Sequence, residues 1–289
     1  MAGKNSVPIN TETVLYGVFG DPVRQSKSPL MLNRAFQETG VNAAYAAFHI
    51  TPGTLRAAVE GIRALGFRGV NVTIPHKLEV MQYLDEIHED ARVIGAVNTI
   101  VNENGRLTGY NTDGIGYVRS LKEETGIQLA GKRVLIVGAG GASRGVTYAL
   151  AKEGPAQIWI ANRTVDKAQA LAADLAGLTQ TTGMGLDQIT DIKHEVDLVV
   201  NLTSQGMHPN VAGVPLDTSW FRPGLVVSDT VYNPLLTRML REAKEAGATI
   251  HPGLGMFIYQ GAFAFEYWTG IPAPVSAMRE VVEAALAGA

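Results

Sequence analysis

The chain contains no cysteine among its 289 residues. Disulfide bonds, thiolate catalysis and cysteine-ligated metal sites are therefore excluded together. Neither sign of charge is in surplus, because 24 basic and 27 acidic residues give a net charge of only −3. A chain so balanced has no electrostatic footprint for nucleic acid or for an anionic membrane surface, and we expect neither as a partner.

Long hydrophobic runs are absent as well. No stretch reaches the ~18 uncharged apolar residues of a membrane-spanning helix, and residues 1–10 are polar, without the apolar centre of a secretory signal. We therefore expect a cytoplasmic protein. The six histidines show none of the spacings typical of metal ligands, so the sequence predicts no metal.

Glycine is what the chain has in excess: 32 of 289 residues, or about 11%, compared with about 7% in average proteins. A surplus of glycine indicates many turns, or backbone that approaches something closely. The length corresponds to about two domains of ~150 residues each. The positions of the glycines within those domains therefore bear on function.

Short apolar runs alternate with helical patterns along most of the sequence, which is typical of α/β folds. In the first part the patterns predict strands over 14–20, 43–50 and 69–74, helices over 29–40, 52–65 and 76–84, and a hairpin of 96–101 and 107–110. In the second part they predict strands over 132–138, 157–161, 196–201, 225–231 and 249–250, and helices over 114–124, 142–153, 165–175 and 234–246. Two further helices, over 255–269 and 275–286, have no strand of their own to pack against.

A glycine-rich segment joins one of these strands to a helix. Such a loop turns backbone N–H groups and a helix N-terminus toward a phosphate, so we favour dinucleotide binding over a merely tight turn. Gly138 permits the turn, Gly140 permits close approach to a pyrophosphate, and Ser143 stands where a third glycine is usual. The candidate pyrophosphate-binding residues are Gly138, Ala139, Gly140, Gly141 and Ala142.

The end of the following strand bears on which dinucleotide binds. NAD sites usually carry an acidic residue there, but this strand ends in Asn162, Arg163 and Thr164. A guanidinium can bond a 2′-phosphate that a carboxylate would repel, and Lys167 adds positive charge. We therefore favour NADP as the cofactor; the alternative is a solvated loop in which Thr164 starts a helix.

Polar residues follow the strands of the first part, where ligands of open α/β sheets bind. These residues are Ser26, Ser28, Asn71, Thr73, Lys77, Asn98 and Asp113. Hydroxyls, amides, one lysine and one carboxylate suit a small polyhydroxylated, non-aromatic substrate. Four of them have an ordinary alternative: Ser28 and Asp113 as helix caps, Asn71 as a partner of backbone, and Lys77 as a surface charge. A lysine at a helix start, however, opposes the helix dipole.

Together these patterns predict an α/β protein of two domains. Residues 1–113 and 253–289 would form an N-terminal α/β substrate-binding domain, to which the C-terminal helices return. Residues 114–252 would form a Rossmann-like NADP-binding domain.

Eight motifs occur in an order that closely resembles the shikimate dehydrogenase family across nearly the whole chain. They start at Ser26, Gly69, Gly95, Gly109, Gly138, Asn162, Asn201 and Gly253. The resemblance implies NADP-linked reduction of 3-dehydroshikimate to shikimate in aromatic amino-acid biosynthesis. It also implies that seven residues contact the substrate: Ser26, Ser28, Asn71, Thr73, Asn98, Tyr232 and Gln260.

The same resemblance implies the remaining roles. Lys77 and Asp113 would form the catalytic pair, and Thr230 and Gly253 would lie near the nicotinamide. Two alternatives stay open: a quinate/shikimate dehydrogenase with relaxed use of cofactor or substrate, and a non-catalytic ligand sensor. The protein is expected to be a monomer or a homodimer.

Overall fold

The computed structural model describes residues 9–287, apart from the side chain of Ala142. The chain divides into two compact units. Unit 1 comprises the described residues up to Thr112 and those from Ile258 onward, and unit 2 is Asp113–Phe257. Each unit has its own six-stranded sheet, which confirms the predicted α/β class.

Unit 1 combines a mixed sheet with helices on both of its faces. Its elements, in chain order, are β1 (Val14–Gly20), α1 (Ser28–Thr39), β2 (Ala43–His49), α2 (Leu55–Ala64), β3 (Gly69–Val72), β4 (Glu86–Ile87), α3 (Glu89–Ile94), β5 (Thr99–Glu103) and β6 (Arg106–Tyr110). The sheet order is β2-β1-β3-β5-β6-β4. The predicted hairpin is confirmed, with Asn104 and Gly105 both at positive φ between the antiparallel strands β5 and β6.

The pairing pattern brings several chain ends to one edge of this sheet. Strands β2 and β3 both run parallel to β1, whereas β5 is antiparallel to β3 and β6 is antiparallel to β5. The carboxyl ends of β1, β2, β3 and β6 and the start of β5 therefore meet at a single edge, here called the polar edge.

Unit 2 is built as a parallel sheet with helical crossovers. Its elements are α4 (Asp113–Thr125), β7 (Arg133–Val137), α5 (Gly141–Lys152), β8 (Gln157–Ala161), α6 (Val165–Leu175), β9 (Thr181–Met184), β10 (Leu198–Asn201), β11 (Val226–Asp229), α7 (Arg238–Glu245) and β12 (Thr249–His251). The order β12-β11-β10-β7-β8-β9 is all parallel. Counted from β7, this is the doubly wound arrangement of dinucleotide-binding domains, and its topological switch point lies between β7 and β10.

The last two helices are α8 (Leu254–Thr269) and α9 (Val275–Ala287). The return of the C-terminal helices to the first unit is confirmed, because Trp268 of α8 donates its Nε1–H to the carbonyl of Ile100 at 2.9 Å. The same ring covers Gly69 of β3, where a Cβ atom would collide with the indole. Within the described part of the chain, no helix combines the length and the apolar character of a membrane span.

One predicted helix is wrong. The segment 76–84 is a turn followed by a short 3-10 helix, Glu79–Tyr83. The amide of His76 donates to the carbonyl of Thr73 at 2.9 Å, which closes a turn around Pro75. The carbonyl of Lys77, which would accept the N–H of Met81 in an α-helix, instead accepts the N–H of Val97 at 2.8 Å, and the N–H of Met81 donates to the carbonyl of Leu78 at 3.3 Å. The apolar spacing of this segment therefore does not become an α-helix.

Candidate active site

The serines of the segment that follows β1 lie at the polar edge. Ser26 is half-buried, and its Oγ accepts the backbone N–H of Ser28 at 3.2 Å. Ser28 is buried and is the first residue of α1. Lys27 occupies the N-cap position and makes no side-chain cap, so the alternative role of Ser28 as a helix cap is wrong.

Asn71 points from β3 to the face opposite the apolar core. Its neighbours Val70 and Val72 pack in that core, as strand alternation requires. The Nδ2 group of Asn71 donates to the carbonyl of Asn98 at 3.2 Å and to Thr99 Oγ1 at 3.1 Å. Asn71 thus does serve backbone, but it does so at the polar edge and within a side-chain network.

Asn98 extends this network to the segment that follows β6. Its Oδ1 accepts the backbone N–H of Thr112 at 2.8 Å and the hydroxyl of Thr99 at 3.0 Å, and its Nδ2 donates to Thr112 Oγ1 at 3.0 Å. Asn98 is 2% exposed. A buried amide with several partners is held in one orientation, so these bonds fix the positions of Asn98 and of Thr112.

Lys77 lies in the turn after β3 and is half-buried. Its carbonyl accepts the backbone N–H of Val97 at 2.8 Å, which ties the turn to the segment before Asn98. Because Lys77 does not start a helix, the argument from an unfavourable helix dipole is wrong. Its neighbour His76 is fully buried, with Nε2 at 2.6 Å from the carbonyl of Ile50. Of the two neighbours, only Lys77 is partly accessible.

Two more predicted substrate residues belong to unit 1. Thr73 is half-buried directly after β3, and its backbone N–H donates to the carbonyl of Phe19 at 2.9 Å. Gln260 is half-buried on α8. Helix α8 also carries Trp268, so the contact of that ring with Ile100 anchors the helix of Gln260 to the sheet.

The glycine loop of unit 2 follows β7 at the switch point of the sheet. Gly138 has φ +112, and a Cβ there would lie 3.0 Å from the carbonyl carbon of Leu202, so a side chain is disfavoured on both counts. At Gly140 and Gly141 a Cβ would meet no described atom within 4 Å, which leaves open space at the N-terminus of α5. An open helix N-terminus framed by glycines fits a pyrophosphate.

Ser143 makes its own contribution at the third position of the glycine pattern. It is fully buried, and its Oγ accepts the backbone N–H of Gly140 at 3.0 Å. The hydroxyl thus closes the first turn of α5. The structure describes Ala142 as part of this helix, but its side chain lies outside the described part of the chain.

The end of β8 is joined to the glycine loop. Asn162 Oδ1 accepts the backbone N–H of Ala139 at 3.3 Å, and its Nδ2 donates to the carbonyl of Thr164 at 2.9 Å. Arg163, Thr164 and Lys167 are exposed. Asn162 therefore holds the two segments together and leaves the cationic side chains accessible to a phosphate.

The ends of β11 and β12 bring Thr230 and Gly253 together. A Cβ at Gly253 would lie 2.7 Å from the carbonyl carbon of Val231 and would also collide with Thr230, so only glycine fits. Thr230 Oγ1 donates to the carbonyl of Asn201 at 3.1 Å. Tyr232 follows, half-buried and stacked on Phe257 with ring centroids 4.8 Å apart.

Asp229 is the last residue of β11 and is held by hydrogen bonds to the segments around it. It is fully buried and accepts hydrogen bonds from Asn201 Nδ2 at 3.1 Å, from Val231 N–H at 3.0 Å and from the Thr237 hydroxyl at 2.8 Å. Burial nevertheless raises the pKa of Asp229 to about 6, because desolvation of the carboxylate outweighs these bonds.

Asp113 is buried and is the first residue of α4, where the helix dipole favours a carboxylate. Further along α4, the Tyr117 hydroxyl donates to Ser228 Oγ at 2.8 Å. The buried His251 ring lies between two hydroxyls, with Nδ1 at 2.8 Å from Ser228 Oγ and Nε2 at 2.7 Å from Ser120 Oγ. This cluster anchors the helix of Asp113 to β11 and β12.

The known family models cover most of the chain. The model for the shikimate dehydrogenase substrate binding domain matches residues 18–100, the shikimate/quinate 5-dehydrogenase model matches residues 120–209, and the shikimate 5′-dehydrogenase C-terminal domain matches residues 253–283. The NADP(+) shikimate dehydrogenase of Geobacillus kaustophilus is 50% identical over 94% of this chain and 98% of its own length. The chain belongs to the shikimate dehydrogenase family.

Solved structures of shikimate dehydrogenases agree with this placement. The enzyme of Listeria monocytogenes, solved with shikimate and NAD, has a TM-score of 0.91 at 37% identity and covers 95% of this chain and 98% of its own. The enzyme of Thermus thermophilus, solved with NADP(H) and shikimate, has a TM-score of 0.86 at 38% identity and covers 95% of this chain and 100% of its own.

Several residues of the polar networks in this member of the shikimate dehydrogenase family were not predicted from the sequence. Tyr45, Thr99 and Thr112 belong to the network of the polar edge, and Ser228 and His251 belong to the cluster beside α4. Thr99 and Thr112 stand within the motifs that start at Gly95 and Gly109, so the sequence offered a signal for both. Tyr45 lies in an apolar strand, where an aromatic residue normally indicates core packing.

Proposed function

We propose that this protein is an NADP-dependent shikimate dehydrogenase that reversibly reduces 3-dehydroshikimate to shikimate. The observation that carries the proposal is the 50% identity over 98% of the length of a relative with that name. A stretch of this length includes both the polar edge and the glycine loop. The reaction belongs to the formation of chorismate and the aromatic amino acids.

We assign the substrate to the polar edge. Ser26, Ser28, Asn71, Thr73 and Asn98 supply hydroxyl and amide groups there, and Gln260 and Tyr232 are further contacts. Several of these groups are buried and hydrogen-bonded, so they are oriented before a ligand arrives. Such preorganisation suits a rigid ring whose hydroxyls have fixed directions. By the same reasoning, residues 1–113 and 253–289 are the proposed substrate-binding domain.

Lys77 and Asp113 are the proposed catalytic pair. Reduction of a ketone needs a proton at the carbonyl oxygen, and an ammonium group can polarise that oxygen and donate the proton. In the reverse direction the neutral amine accepts it. We assign proton exchange with Lys77 to the Asp113 carboxylate, which the α4 cluster holds in place.

Residues 114–252 are the proposed NADP-binding domain. When bound, the cofactor supplies or accepts the hydride. Gly138, Ala139, Gly140, Gly141 and Ala142 would hold the pyrophosphate, and Asn162, Arg163, Thr164 and Lys167 would hold the 2′-phosphate. Thr230 and Gly253 would border the nicotinamide. No metal enters this scheme, and the described residues contain no group of three His, Asp or Glu suited to one.

The test is a comparison of initial rates by the absorbance of the reduced nicotinamide. Shikimate and quinate are each offered with NADP and with NAD. We expect shikimate with NADP to be the fastest pair. Equal rates with NAD and NADP would contradict the assignment of Arg163, and faster turnover of quinate would favour the quinate/shikimate alternative. Binding of shikimate without any turnover would identify a ligand sensor.

The remaining assignments stay predictions. They are a cytoplasmic location, the absence of a nucleic-acid partner, and a monomer or homodimer as the oligomeric state.

A further inference from the structure

Tyr45 occupies a position between two predicted substrate residues that come from different elements. It lies in the middle of β2 and is 3% exposed. Its hydroxyl donates to Asn71 Oδ1 on β3 at 2.7 Å. A hydrogen bond from the side chain of Ser28, at the start of α1, favours the ionised form of the same phenol and so lowers the pKa of Tyr45 against the larger effect of burial. One phenol therefore joins β2, β3 and α1 at the polar edge.

The direction of each hydrogen bond in this chain is determined. Asn71 Nδ2 donates to the Asn98 carbonyl, which can only accept, so the opposite end of the amide must be its oxygen. That oxygen carries no proton, and the single proton of Tyr45 therefore goes to it. The Ser28 hydroxyl must then donate to the Tyr45 oxygen.

Protonation of the phenol does not vary near neutral pH. Burial raises the pKa of Tyr45 well above its ordinary value, so the group stays neutral and keeps its proton. The ring is also fixed, because it packs against Trp268 with centroids 6.2 Å apart. The hydroxyl is therefore a rigid donor to Asn71 and a rigid acceptor for Ser28.

We propose that Tyr45 is a positioning residue for the substrate, which orients the Ser28 hydroxyl and the Asn71 amide so that both present fixed polar atoms to the ligand. The inference rests on the proposed function, since it needs shikimate at the polar edge. Tyr45 itself need not touch the ligand, because it is 3% exposed and acts through the two side chains that it orients. Without its hydroxyl, Ser28 loses its acceptor, and one bond that fixes the Asn71 amide is gone.

The test uses Tyr45→Phe, which keeps the ring and removes only the hydroxyl. Loss of one buried hydrogen bond to each of two binding groups predicts a rise of about tenfold in the KM for shikimate. The KM for NADP should stay within about twofold, because the cofactor residues lie on other elements, and kcat should fall less than KM rises.

Tyr16→Phe is the matched control. Tyr16 is 4% exposed, pairs with Tyr45 across β1 and β2, and packs on the same Trp268 ring with centroids 5.0 Å apart. It therefore loses a phenol hydroxyl from a similarly buried residue in the same row of the sheet. We expect its KM for shikimate to stay within about twofold of the wild type, because it is not part of the chain from Ser28 to Asn71.

A double-mutant cycle with Ser28→Ala tests whether Tyr45 affects substrate binding through Ser28. If Tyr45 acts through Ser28, the double variant should raise the KM for shikimate by clearly less than the product of the two single effects. Multiplicative effects would overturn the proposal, and so would an unchanged KM in Tyr45→Phe. Equal increases in Tyr45→Phe and Tyr16→Phe would indicate loosened packing and would also overturn it. Failure of the wild type to turn over shikimate would refute the proposed function itself.

Discussion

Replacing Gly69 with alanine places a methyl group against the indole of Trp268. The Cβ of such a residue would collide with the Nε1, Cδ1 and Cε2 atoms of the ring. The ring cannot turn away freely, because it is 5% exposed and Nε1 donates to the Ile100 carbonyl at 2.9 Å. Overpacking costs about 1–3 kcal/mol and loss of the hydrogen bond about 1 kcal/mol. We expect unit 1 to lose about 2–4 kcal/mol of its free energy of unfolding.

Urea denaturation followed by tryptophan fluorescence measures this loss. Trp268 is the one tryptophan of unit 1, whereas Trp159 and Trp220 belong to unit 2 and report on that unit. The control is Gly53→Ala, since a Cβ there meets no described atom within 4 Å. This variant should stay within about 1 kcal/mol of the wild type.

The same change should also weaken substrate binding, because Gln260 lies on the helix that the methyl group displaces. We expect the KM for shikimate to rise, and the KM for NADP to stay close to that of the wild type. If Gly69→Ala unfolded within about 0.5 kcal/mol of the wild type, the covering of β3 by Trp268 would not contribute to stability as argued.

Three further changes test the catalytic, cofactor and buried acidic groups. Lys77→Ala should lower kcat at least about a hundredfold while calorimetric shikimate binding changes far less; near-normal turnover would remove Lys77 from catalysis. Arg163→Ala should raise the KM for NADP about 10- to 100-fold with little effect on shikimate, and an unchanged value would place the 2′-phosphate elsewhere. Asp229, whose pKa is raised to about 6, favours its protonated form in the folded state, so its contribution to stability is lost as pH rises from about 4 through 6. Asp229→Asn should remove this pH dependence of the free energy of unfolding, which amounts to about 3 kcal/mol. Chemical denaturation at several pH values measures it, and the same pH dependence in the variant and the wild type would contradict this role of Asp229.

Most of the fold follows from sequence patterns because the strands of unit 2 are buried on both faces. Such strands read as continuous apolar runs, as in the segment Arg133–Val137. Strand β9 escaped prediction because Thr181–Met184 contains two threonines and a glycine and shows no apolar alternation. The helix expected over 76–84 failed because the Lys77 carbonyl pairs with the N–H of Val97 and not with the next turn of a helix.

The residues of the candidate site also differ in how well the sequence predicts them. Polar residues that follow strand ends stand out in a sequence, and Asn71, Asn98 and the glycines after β7 are of this kind. Tyr45 and His251 stand out only once the partners from other elements are known, since Tyr45 is 26 residues from Asn71 and His251 is 131 residues from Ser120. No local pattern carries information about contacts so distant along the chain.

Unit 1 consists of two chain segments that are separated by unit 2, so its last part is synthesised long after its first. Trp268 is translated 199 residues after Gly69, the residue that it covers. At the usual ~5–20 residues per second, the ribosome needs about 10–40 s to make that stretch. Unit 2 is continuous from Asp113 to Phe257 and can complete its own sheet during this interval. The nascent sheet of unit 1 must wait for the last helices, so during synthesis its face beside Gly69 stays exposed to chaperones and to other nascent chains.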